Sequence, residues 1–333
     1  MNQAANRLNT ESTARQARIK KNLVLRQAVL GAVRQFFTQN GFLEVETPLR
    51  LTAPAPEPHI DAVESGNHYL QASPELHMKR LLCAGYRRIF QICKCFRHGE
   101  RSARHLTEFT MLEWYTAGED YFFLMDQVEK LVCFVSAEAL GRQQVHYHDT
   151  VIDLSGPWKR IRAADAFLQY AGMEMKSAMA GDMFEEKLAF EIEPRLDVHR
   201  PVFLHDYPLA FTPLAKSAPD DPEAAQRFEL YLGGVEICNG YSELTDAKLQ
   251  RMRFETELAS RKADRRPVSP MPERFLSDMS QMPEAAGCAL GLDRLVMILA
   301  DASAIDDVVA FVPEDDWPQS RQTDSRESEN GWH

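Results

Sequence analysis

The chain has 333 residues, 44% of them hydrophobic and 26% charged, enough to bury one large core or two modest ones, and one dominant domain is expected. A formal net charge of −11 argues against a general nucleic-acid binder, which needs a basic face to displace counterions from phosphate. The six cysteines show no CxxC pair or zinc-type histidine spacing, and neither an apolar leader nor a run of eighteen apolar residues occurs; zinc, a disulfide framework and a membrane partner are disfavoured, and a cytoplasmic location is expected.

Residues 1–20 are polar and mixed in charge and read as a flexible arm or the exposed start of a helix. From Leu25 the apolar positions Leu25, Val29, Val33, Phe36 and Phe37 recur at helical spacing, predicting a helix of about four turns that Asn40-Gly41 stops. FLEVETPLR, at 42–50, reads as a strand whose end is marked by Thr47-Pro48. The proline-rich loop at 52–57 is too short to link two domains. A second helix opens where Ser73 offers an N-cap, Pro74 suits the first turn and Glu75 complements the positive helix end; Gly85 closes it.

Arg88–Arg97 and Thr107–Tyr115 both read as strands. Their hairpin aims Arg97 at the face on which a period of two aligns Phe109, Met111, Glu113 and Tyr115. From Lys79 to Arg104 eight Lys or Arg accompany a single acid, Glu100, in a chain that is otherwise acidic. A basic loop by itself is a solvated face, but this one is local, sized for a nucleotide, and flanked by an aromatic, a carboxylate and a phenol on one strand face.

A helix is expected over 122–140, then an irregular insertion at about 141–199 packed on the main sheet, with helical stretches at 161–170 and 182–190. Phe228–Leu232 and Val235–Cys238 read as strands joined by the two-residue turn Gly233-Gly234. In that register Glu229 lies opposite Cys238 and Tyr231 opposite Glu236, so Glu229 and Glu236 are diagonal neighbours on one face. Such a pair either meets solvent or a basic partner, or holds a divalent cation with oxygen ligands and retained waters, as Mg2+ prefers. Gly287–Met297 predicts a strand turning at Gly291 into a helix with Arg294 in its first turn, where a cation opposes the helix dipole and makes more sense beside a bound anion. Residues 313–333 are polar and acidic and read as a disordered tail.

FRHGE at 96–100 followed by EFTMLEWY at 108–115 resembles the second signature motif of the class II aminoacyl-tRNA synthetases of the lysine, aspartate and asparagine group. The helix, strand and Pro48 resemble the first motif, GCALGLDRLVM at 287–297 resembles the third, and SPE with HMKRLL at 73–82 resembles the lysine-type branch. The resemblance covers roughly 20–312. It implies an α+β fold, an antiparallel sheet flanked by helices, with one catalytic domain at 21–312 working as a homodimer through Leu25–Arg50. It also implies ATP as substrate with Mg2+. Arg97 would grip the α-phosphate and the reacting carboxylate, Phe109 stack on adenine, and Arg294 hold the terminal phosphate, while Glu229 and Glu236 carry the metal. Glu100, His105, Ile237 and Gly291 fall in the same ATP-binding set, and Arg97, Glu236 and Arg294 form the catalytic set. Glu75 would receive the α-ammonium of an amino acid, Asn239 contact the substrate, and Glu113, Tyr115 and Glu243 bind a distal amine, with Ser73 and Ala289 completing that pocket. Two positions depart from the family: Gly99 stands where it usually has Glu, and Leu106 where it usually has Asn.

The implied reaction is attack of an amino-acid carboxylate on the α-phosphorus of ATP, giving an acyl-adenylate and pyrophosphate. Three identities share these features: a ligase of the elongation factor P lysine ligase family, using lysine or (R)-β-lysine; a shortened lysyl-tRNA synthetase; and a non-catalytic lysine-sensing paralogue. The first is expected, with elongation factor P as acceptor and tRNA disfavoured. The catalytic helix begins near residue 25, leaving no room for an anticodon reader, and Ala289 stands where the synthetases typically have Gly and the protein-lysylating family has Ala.

Overall fold

In the computed structural model, which describes residues 2–58 and 60–316 and the side chains of 13–58 and 60–315, an eight-stranded sheet organises the chain. Its strands are β1 (Leu43–Glu44), β2 (Arg88–Phe96), β3 (Glu108–Ala117), β4 (Lys159–Arg162), β5 (Val202–His205), β6 (Arg227–Leu232), β7 (Val235–Ser242) and β8 (Ala285–Gly291). They lie in the order β1-β2-β3-β8-β7-β6-β5-β4. The six inner strands pair antiparallel, whereas β1 with β2 and β4 with β5 are parallel. The sheet is therefore mixed, inside the α+β class expected.

Period-two alternation gives the sheet two faces. On β3, Leu112 and Trp114 turn to the main core, where α1 (Asn2–Gln39), α3 (Tyr121–Leu140) and α5 (Leu292–Leu299) cover them. Phe37 of α1 stacks on Phe90 of β2 with centroids 4.8 Å apart, and the buried Trp114 indole donates to Gln127 Oε1 at 2.6 Å, so its one donor is not stranded. The opposite face carries the functional groups. No helix among the described residues is long and apolar enough to cross a membrane.

Helix α1 stops where expected, with Gly41 at φ +74°, but it is 38 residues long and runs through 2–20. Apolar periodicity missed the part before Leu25, where polar contacts hold the described residues from 13 to 22. Arg15 donates to Ala310 O at 2.9 Å and pairs with Asp315 at 3.0 Å, and Asn22 donates to Asp307 O at 3.0 Å. The strand expected at 42–50 shrinks to β1 and a separate pair at Arg50–Leu51. Leu43 and Leu49 point outward, 51% and 44% exposed, and β1 pairs only with the edge of β2. Helix α2 spans Glu75–Cys83, α4 spans Ala247–Ala263, and Gly85 at φ +95° follows α2.

Residues 141–199 hold a small hairpin (Gln144–Tyr147 with Thr150–Asp153), strand β4 and several short helical turns. Phe167, Phe184, Ile192 and Leu196 form a second core there, which packs on Leu204 and Tyr231 of the main sheet and on Tyr207 just past β5. Residues 313–316 form one helical turn; the disorder expected beyond them lies outside the described residues.

Candidate active site

The functional face bounds a cavity of 430 Å3, walled by β3, β6, β7, β8, the start of α2, the loop after β2 and Phe184–Leu188 of the insertion. Its two ends differ in charge. At the first, the Arg97 amide donates to Thr107 O at 3.0 Å, closing the loop, and its guanidinium lies 5.1 Å from the Phe109 ring centre. Glu100 Oε2 is 3.6 Å from Arg97 Nη1, while the buried Arg97 Nε has no partner and remains a free donor. Gly99 adopts φ +74°, which strains any residue with a Cβ, so the acid faces the cavity one residue later, at Glu100. Leu106 packs into the main core, which explains an apolar residue there.

Arg294, in the first turn of α5, donates to Glu236 O at 2.8 Å, to Glu236 Oε2 at 3.2 Å and to Arg104 O at 3.2 Å. It also meets His105 Nε2 at 2.5 Å. A guanidinium only donates, so Nε2 accepts and the ring proton belongs on Nδ1, which donates to Ser102 Oγ at 2.8 Å. Burial and the Arg294 charge both lower the His105 pKa and keep the ring neutral.

The second end is a nest of carboxylates. Ser73 Oγ accepts from the Glu75 amide at 3.0 Å and donates to Glu113 Oε2 at 2.8 Å, so it works just outside a helix whose cap position is Pro74. Tyr115 donates to Glu113 Oε1 at 2.6 Å. Glu75 Oε1 accepts from the Tyr241 hydroxyl and from Lys79 Nζ, each at 2.5 Å. Burial, reinforced by Glu75, raises Glu113 to about 8 and Glu57 to about 7, and burial likewise raises Glu243 to about 8. Burial opposes the charge of Lys79, but Glu243 and Glu75 outweigh it and hold the amine above the ordinary lysine range.

The hairpin between β6 and β7 departs from the expected register. Tyr231 does pair with Glu236, but a bulge after Leu230 places Glu229 opposite Asn239 rather than Cys238. That extra residue changes the face of everything beyond it. Ile237 and Cys238 both pack in the core, and Glu236 and Asn239, three residues apart, both reach the cavity, which an unbroken strand forbids. Arg227 Nε donates to Asn239 Oδ1 at 3.0 Å, which turns the Asn239 amide nitrogen free as a donor. Glu229 is more occupied than its expected role requires: Arg227 meets Oε1 at 2.5 Å, and the Tyr207 and Tyr231 hydroxyls meet Oε2 at 2.5 and 2.8 Å. One of a carboxylate's roughly four lone pairs is left. Glu236 is 41% exposed with only Oε2 engaged, so it has room for a cation and Glu229 a single remaining site.

All the expected site residues line this cavity except Glu243. Glu243 is fully buried behind Gly287; a Cβ on Gly287 would collide with the Tyr115 ring and lie 2.6 Å from Glu243 Oε1, so only glycine permits the approach. Sequence reasoning missed Glu57, Lys79, Tyr207, Arg227 and Tyr241. Period two from Glu229 would have found Arg227, and from Glu243 would have found Tyr241. Lys79 sits one helical turn after Glu75, a spacing that pairs them.

The sequence pattern of the tRNA synthetases class II (D, K and N) matches residues 5–315. The chain is 36% identical over 319 residues to a lysine–tRNA ligase of Moorella thermoacetica, covering 88% of this chain but only 65% of that protein. It is 37% identical over 309 residues to an elongation factor P–(R)-β-lysine ligase of Pectobacterium carotovorum, covering 88% of this chain and 95% of the relative. A ligase of the same name from Edwardsiella ictaluri is 38% identical over 306 residues, with 87% and 94% covered.

Proposed function

Because the chain belongs to the class II tRNA synthetases of the D, K and N type, we propose that it activates lysine or (R)-β-lysine with ATP and transfers it to a lysine side chain of translation elongation factor P. The observation that carries this is one cavity with fixed arginines at one end and surplus carboxylates at the other. Arginines suit phosphates, and the carboxylates suit an amino acid with two amines.

In the first step a carboxylate oxygen of the amino acid attacks the α-phosphorus; the new acyl–phosphate bond forms as the bond to the β-phosphate breaks and pyrophosphate leaves. No proton changes hands, so positioning and charge carry the catalysis. Arg97 holds the α-phosphate and the incoming carboxylate, a role its unpaired Nε supports, and Phe109 offers its ring to adenine. Arg294, fixed by Glu236, His105 and Arg104, holds the terminal phosphate. A magnesium ion would be held by Glu236 first and by the remaining lone pair of Glu229, and when bound would neutralise phosphate charge. Glu75, Glu113 and Tyr115 receive the amines, and the Asn239 amide nitrogen meets the substrate beside them. In the second step the unprotonated ε-amine of the acceptor attacks the acyl carbon, AMP leaves, and the amine loses a proton.

Ala289 supports the β-isomer. It lies on β8 between Glu113 and Asn239 in register, so its methyl narrows the space where the reacting end and the amine end meet. The outward Leu43 and Leu49 support a homodimer through Leu25–Arg50, testable by sedimentation at low micromolar concentration, and a cytoplasmic site of action suits the proposed acceptor. The deciding assay offers labelled (R)-β-lysine and α-lysine with ATP to elongation factor P and, separately, to tRNA(Lys). Label on the protein with (R)-β-lysine is expected. Efficient charging of tRNA(Lys) with the protein left unmodified would make the chain a lysyl-tRNA synthetase instead.

A further inference from the structure

Lys79 lies beneath the amine end without lining the cavity, and no step above uses it. Its ammonium is 2.5 Å from Glu75 Oε1 and 2.5 Å from Glu243 Oε2, its side chain is 1% exposed, and the Tyr241 ring centre lies 5.4 Å away. It thus ties the first turn of α2 to the residue just past β7, across the floor of the pocket. Glu243 depends on it: neither of its oxygens receives an aligned hydrogen bond, although Lys79 is close enough for an ion pair. Glu57 and Glu113 also feel the Lys79 charge, and Arg97 and Arg227 reach Glu57, whereas Tyr115 and Tyr241 bring only neutral hydroxyls.

Three carboxylates gathered in a dry space, Glu75, Glu113 and Glu243, with the half-buried Glu57 beside them, cannot all ionise unaided, and a carboxyl that keeps its proton cannot accept a substrate ammonium. One resident ammonium lowers that barrier yet leaves the nest with surplus negative charge. We propose that Lys79 is a positioning residue for amino-acid recognition: its ammonium fixes the separation of Glu75 and Glu243 and supplies the counter-charge that lets the nest accept a substrate bearing two amines. This rests on the function proposed above.

The test is Lys79→Met, which keeps length and removes charge, assayed by ATP–pyrophosphate exchange from pH 6.5 to 9. Without the ammonium Glu113 and Glu243 hold their protons to higher pH. The acid limb of kcat/KM for the amino acid should move up by at least one pH unit, so that the loss is tenfold or more at pH 7 and shrinks toward pH 9. The KM for ATP should change less than twofold. The double variant Lys79→Met/Glu243→Gln removes both buried charges, guards against a fold lost to an unpaired carboxylate, and should place the limb between those of the wild type and the single variant. An unshifted limb, a parallel rise in the KM for ATP, or a double variant indistinguishable from the single one overturns the proposal while the function stands. Wild-type protein that exchanges with neither lysine isomer overturns both.

Discussion

The two ends of the cavity solve the problem of holding charge in opposite ways. At the end proposed to hold phosphate the charged groups stay partly wet: the side chains of Arg97, Arg294 and Glu236 are 26%, 20% and 41% exposed. At the end proposed to hold the amines Glu113, Glu75 and Glu243 are 2%, 5% and 0% exposed. Arginine keeps its charge at any accessible pH, so that end needs no burial to be ready. A carboxylate gains grip on an ammonium when water is excluded, but the same exclusion raises its pKa toward the working range. The phosphate end should therefore respond to charge deletion with loss of rate, and the amine end with loss of selectivity and a change in pH dependence.

The largest effect is expected at the phosphate end. Glu236→Gln removes charge without changing shape and should abolish adenylate formation in pyrophosphate exchange, by about 100- to 1000-fold or more on the scale of lost electrostatic stabilisation, with Glu229→Gln costing less because that carboxylate is already bound by Arg227, Tyr207 and Tyr231. Wild-type rates in the Glu236 variant would remove that residue from the site. Next comes Glu113→Gln at the amine end. Its expected mark is a rise of about 100-fold in the KM for lysine, on the order of 3 kcal/mol for an unpaired buried charge, with the KM for ATP unchanged. If both KM values rise together, the two ends are not separate.

A smaller effect should appear in the pH profile. Burial lifts Glu113 and Glu243 to about 8, above their unfolded values, so between those limits the native protein binds more protons than the unfolded chain. Stability of the empty protein should thus fall as pH rises toward 8, and the stabilisation given by lysine in a thermal shift should grow over the same window. A lysine-induced shift that is flat from pH 6.5 to 8.5 contradicts this. The smallest effect is that of Ala289→Gly, where one methyl is worth roughly 1–3 kcal/mol of discrimination; the variant should gain activity with α-lysine relative to (R)-β-lysine.

What the sequence disclosed follows the same division. The face of β3 was legible because strand alternation is local, and Phe109, Met111, Glu113 and Tyr115 do line the cavity together. Arg294 was legible because a cation in a helix's first turn is anomalous without an anion. The bulge after Leu230 was not, since one extra residue leaves no mark in composition, and with it went the correct partner of Glu229. Lys79 looked like one more charge in a basic stretch; its meaning depends on Glu243, which only the sheet brings to it. Residues 13–22 of α1 escaped because Arg15 and Asn22 hold them by hydrogen bonds to 307–310, with Ile19 the one fully buried apolar side chain among them.

Pyrophosphate exchange with a series of amino acids that differ only in their amines tests the difference between the two ends most directly. (R)-β-lysine and lysine should support exchange, and norleucine, which has lysine's carbon chain without the distal amine, should fall at least 100-fold below them while leaving the KM for ATP untouched. Exchange with norleucine at a rate near that of lysine would mean that the buried carboxylates Glu75 and Glu113 do not select a second amine, and the account of this cavity would be wrong.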